Sequence, residues 1–142
     1  MDIQSNQPTR DWQMEAFVGP NFEYYERKWG LNPGAMDWNW AACLFGIFWA
    51  AYRKMYAEAA IAFSIVTVLS VIGLRSSIMF GVAFGLVGNH LYRKRFEVIL
   101  KEAEGLDLGA QSEMLAKKGG TSPLIAIALL AAWILIVFIP LP

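Results

Sequence analysis

The sequence predicts an all-α integral membrane protein with about three transmembrane helices and one short helix that is half inserted or tilted. Two observations predict this class. Apolar residues make up 56% of the chain and charged residues only 17%, whereas a soluble domain usually carries about 25% charged residues. The charge deficit is also local, because long runs of the chain contain almost no charged side chain. Short amphipathic cytoplasmic helices complete the predicted architecture.

The charge balance and the cysteine count exclude several functional classes. The chain has 12 basic and 12 acidic residues, so it offers no net positive field for nucleic acid. Cys43 is the single cysteine, which excludes an internal disulfide and a cysteine-based metal site. Glycine-rich phosphate loops, nucleophile–histidine sets and paired-carboxylate motifs do not occur. We therefore expect a non-enzymatic protein with no cofactor, no metal and no nucleic-acid partner.

The N-terminal region lacks the basic start and apolar core of a signal peptide, so later segments are expected to direct insertion. Residues 1–16 are expected to form a flexible tail. Residues 17–36 predict an amphipathic helix and a turn, because Phe22, Tyr25 and Trp29 fall on one helical face. Either the membrane interface or the body of the protein could cover this aromatic face.

Residues 37–56 are too apolar for a surface helix and short for a membrane crossing. The uncharged run 38–52 has 15 residues, whereas a crossing takes about 20. We expect a half-inserted or steeply tilted helix, with a full crossing as the alternative. A row of small residues suits close helix packing: Ala42, Gly46 and Ala50. Aromatic residues predict interface anchors: Trp38, Trp40, Trp49, Tyr52 and Tyr56, with Tyr92 further along the chain.

Residues 57–92 predict a transmembrane hairpin with a tight turn at Arg75. Its first arm carries a weakly polar stripe, Ser64, Thr67 and Ser70, which is expected to face protein. Glycines on the second arm let helices approach closely, so the two arms are expected to pack through them. These glycines are Gly81, Gly85 and Gly88.

The last third of the chain predicts cytoplasmic helices followed by a membrane span. Residues 93–121 read as two amphipathic helices that lie on the membrane surface or on the protein's own cytoplasmic face, with a break between Gly105 and Gly109. Residues 122–142 carry no charge. They predict a C-terminal transmembrane helix with Pro123 at its first position.

Three basic clusters set the expected orientation in the membrane. They are Arg53-Lys54, Arg93-Lys94-Arg95 and Lys117-Lys118. Because basic residues stay on the cytoplasmic side, we expect a multi-pass protein of the bacterial inner membrane with a periplasmic C-terminus. The N-terminal region is cytoplasmic if residues 38–52 only dip into the bilayer, and periplasmic if they span it.

Several short signatures occur in a characteristic order. The densest block runs from Trp38-Asn39-Trp40-Ala41-Ala42 to Tyr52-Arg53-Lys54-Met55-Tyr56, and it lies between Val18-Gly19-Pro20-Asn21 and Gly88-Asn89-His90-Leu91-Tyr92. Over residues 17–125 the chain resembles the bacterial family called "domain of unknown function 2628", whose members are small inner-membrane proteins. The resemblance implies membrane residence and a helical architecture, and it brings no activity.

Six polar residues in or beside the apolar segments are the candidate functional groups: Glu58, Asn39, Asn89, His90, Arg53 and Lys54. Glu58 is either a proton- or cation-coupling carboxylate or the partner of Lys54, four residues earlier. Asn89 is expected to bond backbone groups or Asn39, which would tie the first apolar stretch to the hairpin. His90 has no companion metal ligands and is expected to be a polar cap at the end of its span.

The expected function is that of a scaffold or accessory subunit of a membrane complex. Besides the lipid bilayer, its expected partners are a larger membrane-protein complex or further copies of itself. The alternative, of a different class, is a small transporter or a lipid- or small-molecule-binding protein that uses Glu58.

Overall fold

The computed structural model describes residues 10–31, 37–71 and 77–138, and the regular structure in these ranges is entirely helical. The turn expected at Arg75 lies outside the described residues. A 3₁₀ turn covers Gly19–Asn21. The helices are α1 (Arg10–Val18), α2 (Phe22–Leu31), α3 (Trp40–Phe45), α4 (Ile47–Tyr52), α5 (Tyr56–Val71), α6 (Ser77–Glu102), α7 (Leu108–Lys118) and α8 (Pro123–Phe138).

Aromatic side chains from distant parts of the chain form the core of one half of the molecule. This half, which we call the aromatic head, consists of α1, α2, α7 and residues 92–102 of α6. Its buried rings lie with centroids 5.0–5.7 Å apart, the spacing that aromatic pairs prefer. They are Phe17, Tyr25, Trp29, Tyr92 and Phe96. The body of the protein therefore covers the aromatic face of α2.

Helix α1 begins at Arg10, inside the segment 1–16 that the sequence predicts as a flexible tail. Met14 and Phe17 are buried in the head, and Gln13 donates a hydrogen bond to Gln111 of α7 (3.3 Å). Tertiary packing stabilises this short helix, since nine residues are too few for a stable isolated helix in water.

The rest of the molecule exposes large apolar side chains. This apolar half consists of α3, α4, α5, α8 and the first part of α6; Ile78, for example, is 83% exposed and Leu124 79%. Within the described ranges, the stretch Leu108–Leu135 is long and apolar enough to cross a membrane, and its apolar part is α8. The apolar helix Tyr56–Leu69 is shorter.

The single helix expected over residues 37–56 is broken in two. Gly46 separates α3 from α4 with a φ of +45°, a conformation that glycine adopts without steric cost. A second break follows α4, where Lys54 has a φ of +57°. Ala42 and Ala50 are both fully buried but belong to different helices, so the predicted row of small residues does not lie on one helix.

Helix α6 runs without interruption from Ser77 to Glu102. The second arm of the predicted hairpin and the first predicted cytoplasmic helix are therefore one helix, and His90 lies in its middle rather than at an end. A 3.0 Å ion pair between Arg93 and Glu97 supports the helix at the expected boundary. The next helix, α7, starts at an Asp107 N-cap whose carboxylate accepts from two backbone amides.

Candidate functional site: the α3–α6 crossing and the basic cavity

Helices α3 and α6 approach so closely that only glycine fits on the α6 side. A Cβ atom added at Gly85 would lie 2.8 Å from the Cβ of Cys43, and one added at Gly88 would lie 2.8 Å from the Cβ of Ala42. The backbone N–H of Asn39 also donates a hydrogen bond to the Gly85 carbonyl at 2.8 Å. The neighbours of all three predicted packing glycines, including Gly81, belong to residues 38–49. The prediction that these glycines pack the two hairpin arms together is therefore wrong.

A buried amide pair lies at this crossing, where the sequence predicts it. The Asn39 Nδ2 group donates to Asn89 Oδ1 at 2.7 Å, and both residues are 2% exposed. Asn39 also caps α3, because its Oδ1 accepts from the Ala42 amide at 2.9 Å. Asn89 Nδ2 donates to the Asp37 carbonyl at 3.3 Å and to the Tyr24 hydroxyl at 3.4 Å. The pair therefore ties α2, α3 and α6 together.

Arg53, which the sequence places in a basic cluster on the expected cytoplasmic side, is a buried cation. It is 4% exposed, and its guanidinium carbon lies 4.9, 5.3 and 5.6 Å from the ring centroids of Tyr25, Tyr92 and Tyr52. Its Nε and Nη1 atoms have no hydrogen-bond partner among the described residues. Burial raises the pKa of Tyr25 above its ordinary value, and the Arg53 charge offsets this only in part. The tyrosine stays neutral, so the rings solvate the cation by cation–π contact.

The predicted interface anchors divide into two groups. Trp40 is 67% exposed and Tyr56 is also exposed, as an anchor requires. Trp49 and Tyr92 are instead buried and pack against each other with centroids 6.4 Å apart, because Tyr92 belongs to the core of the aromatic head. The remaining two, Trp38 and Tyr52, are half-buried.

Residues of the three basic clusters lie close together in the structure. Lys54 Nζ donates to the Lys117 carbonyl at 3.0 Å. Lys94, Arg95 and Lys118 line one cavity of about 430 Å³. Residues from the linker after α4, the middle of α6 and the end of α7 thus form one band, which we call the basic band.

Glu58 pairs with the basic band through Arg95 and not through Lys54. The distance from Glu58 Oε2 to Arg95 Nη1 is 3.6 Å. An i,i+4 pair with Lys54 does not form because Lys54 lies in the break before α5, with its backbone in the left-handed region. Glu58 sits in the first turn of α5, where the helix dipole stabilises a carboxylate.

The polar stripe of α5 does not face protein. Ser64 and Thr67 are exposed, and each hydroxyl donates to the carbonyl four residues earlier, at 2.9 and 2.8 Å. Such bonds satisfy a hydroxyl within its own helix, so no protein partner is needed. The side chain of Ser70 lies outside the described part of the chain.

Two features were not accessible from sequence patterns. An apolar groove of about 480 Å³ lies between α3–α4 and α8, with Phe45, Phe48 and Leu130 in its lining. The rings around Arg53 come from three helices. Both depend on which helices become neighbours, and local periodicity does not contain that information.

His90 is half-buried, and no group of three potential metal-ligating residues was found in the described ranges.

Together these features define an all-helical protein with a polar, aromatic-cored head, a highly exposed apolar half and a buried asparagine pair where they meet. The family described as "Protein of unknown function (DUF2628)" matches residues 20–97, and the chain belongs to this family. The match includes α2–α5 and the Asn39–Asn89 crossing. No curated protein and no solved structure matches the chain.

Proposed function

We propose that the chain is a multi-pass protein of a bacterial inner membrane that serves as a non-enzymatic scaffold or accessory subunit of a membrane complex. The observation that supports this most is the extent of exposed apolar surface on α5, α8 and the first part of α6. Soluble monomers rarely expose apolar patches beyond a few hundred Å², and lipid would cover these helices. The aromatic head would then remain in the cytoplasm.

The position of the basic band supports this orientation, because basic residues flank the cytoplasmic ends of spans. Helices α5, α8 and the first part of α6 would cross the bilayer. Helices α3 and α4 have six residues each, so they would dip into the membrane and return. The irregular backbone at Gly46 is tolerated at membrane depth where protein surrounds it. The C-terminus would lie in the periplasm.

A cleft in the aromatic head supports the scaffold role. Its volume is about 230 Å³, and Trp29 and Phe96 line it together with Arg93. The carboxylates of Asp11 and Glu26 also line it, and both residues are exposed. Aromatic rings and carboxylates together attract a cationic side chain. A partner protein with a protruding lysine or arginine would fit this cleft.

Membrane residence and topology are tested first. Carbonate extraction is expected to leave the protein in the membrane pellet, and reporter fusions after Gly30 and Gly105 are expected to report a cytoplasmic location. Release of the protein by carbonate would contradict the proposal, since an integral protein is held by its buried apolar helices.

The scaffold role is tested by photo-crosslinking from the head. A photoreactive residue at Glu26, beside the cleft, is expected to give one discrete crosslinked product in intact cells. The matched control is Glu104, which is also exposed but does not line the cleft. Products of equal yield from both positions, or none from Glu26, would contradict a partner at the cleft.

The second candidate function is binding or transport of a small apolar molecule. The apolar groove beside α8 favours it, because ligand sites are concave and mostly apolar. In this case Glu58 would be the coupling carboxylate. Proton-coupled flux into liposomes that is abolished by Glu58→Gln would favour transport over the scaffold role.

A further inference from the structure

The cavity of the basic band combines charged walls with an apolar border. Lys94, Arg95 and Lys118 supply positive charge, Glu58 supplies a carboxylate, and Leu91 supplies apolar lining. Its volume of about 430 Å³ falls within the usual range of ligand pockets, about 300–1,000 Å³. The cavity is therefore large enough to admit a small charged group.

The charges of the cavity leave donors for an anion. Lys118 is paired with Glu102, which also lines the cavity. Arg95 lines the cavity with a partly exposed side chain, and its only ion pair among the described residues is the loose 3.6 Å contact from Nη1 to Glu58. Lys94 is exposed and forms no ion pair with the described residues. Three cations against two carboxylates leave one net positive charge, which a phosphodiester would neutralise.

The surroundings of the cavity indicate where this phosphodiester belongs. Helix α5 starts beside the cavity at Tyr56–Glu58 and exposes Ile61 and Phe63 within its next turns. A phosphate at the cavity therefore lies at the end of apolar surface that acyl chains can cover.

We propose that this cavity binds the headgroup of an anionic phospholipid, with Lys94 and the guanidinium group of Arg95 contacting the phosphate. The inference rests on the proposed membrane residence and adds a specific lipid site to it. The net positive charge of the cavity, with Lys54 and Lys117 close by, favours an anionic over a zwitterionic headgroup. It agrees with the anionic surface of a cytoplasmic leaflet.

The test compares lipids on the full-length protein purified in a neutral detergent. Native mass spectrometry with phosphatidylglycerol and phosphatidylcholine is expected to show preferential retention of the anionic lipid. Lys94→Gln is expected to weaken that binding about fivefold. Lys101→Gln, an exposed α6 lysine outside the cavity, is expected to leave it unchanged. Equal retention of the two lipids, or equal effects of the two substitutions, would overturn the proposal.

A second arm distinguishes the lipid from a soluble phosphate. Glycerol phosphate is expected to compete poorly, because it lacks the acyl chains that the apolar surface covers. Competition as strong as that of phosphatidylglycerol would overturn the lipid assignment. A protein that resists carbonate extraction but shows no lipid preference would refute this site alone, whereas release by carbonate would refute membrane residence itself.

Discussion

The substitution Asn89→Leu tests whether the buried amide pair holds the aromatic head to the apolar half. Leucine has a similar volume, so little cavity forms, but three hydrogen bonds disappear: those with Asn39, Asp37 and Tyr24. The 2.7 Å bond to Asn39 is the shortest of them. The other two are long, at 3.3 and 3.4 Å, so they contribute less.

The expected cost follows from the groups that are left behind. Asn39 is 2% exposed, so its Nδ2 group would lose its acceptor and find no bulk water. An unsatisfied buried donor costs about 1–3 kcal/mol. The loss of the 3.3 Å contact to the Asp37 carbonyl adds a smaller amount. We expect Asn89→Leu to lower the free energy of unfolding by about 2–3 kcal/mol.

The assay is unfolding in mixed detergent micelles with increasing sodium dodecyl sulfate, followed by tryptophan fluorescence. A double-mutant cycle with Asn39→Leu isolates the pair and is expected to give a coupling energy of about 1–2 kcal/mol. His90→Leu is the neighbouring control, since His90 is only half-buried, and it is expected to cost under about 0.5 kcal/mol. A cost for Asn89→Leu no larger than that of the control, or full additivity in the cycle, would refute the reasoning.

Three further predictions use the same unfolding assay. Arg53→Met is expected to cost less than about 1 kcal/mol, because it removes a buried cation that forms no ion pair with the described residues. Arg53→Ala leaves a cavity and is expected to cost about 2–5 kcal/mol, and equal costs of the two substitutions would contradict this. Gly85→Ala is expected to cost about 1–3 kcal/mol by overpacking. The control is Gly30→Ala, which is expected to be tolerated because the site is open, and equal effects of the two substitutions would contradict the close crossing of α3 and α6. Burial raises the pKa of Tyr25 in the folded state. The neutral tyrosine therefore contributes fully to stability below its ordinary pKa of 10.0, and this contribution is lost as the pH rises above 10.0. Tyr25→Phe is expected to reduce the loss of stability between about pH 8 and pH 11, and an unchanged loss would count against it.

The elements that local patterns predict well are those whose ends carry their own signals. Pro123 begins α8, as predicted. The second predicted cytoplasmic helix corresponds to α7. It starts at Leu108, inside the break expected between Gly105 and Gly109, because Asp107 caps it. The family resemblance is confirmed by the match over residues 20–97. Caps, prolines and apolar periodicity act within a few residues, so sequence alone reveals them.

Several interpretations that differ from the structure depend on a partner distant in the chain. The glycines of α6 accept α3 and not the preceding span. Glu58 meets Arg95 because α5 starts beside the middle of α6. Arg53 is buried because Tyr25 and Tyr92 arrive from two other helices, and a basic residue next to an apolar run gives no local sign of that.

The sequence by itself predicted the helical class, the family and the apolar and polar segments, and it offered Asn39 as one of two alternatives for the partner of Asn89. The contact was predictable because two asparagines in apolar segments need each other to satisfy their amides. Only the tertiary structure decided that residues 37–56 form two helices broken at Gly46 and that Arg53 enters the core. It also decided that residues of two basic clusters line one cavity and that Lys54 reaches the Lys117 carbonyl beside it. Helix periodicity fixes which face of a helix is apolar, but shape and hydrogen bonding across the chain select the neighbour that covers it.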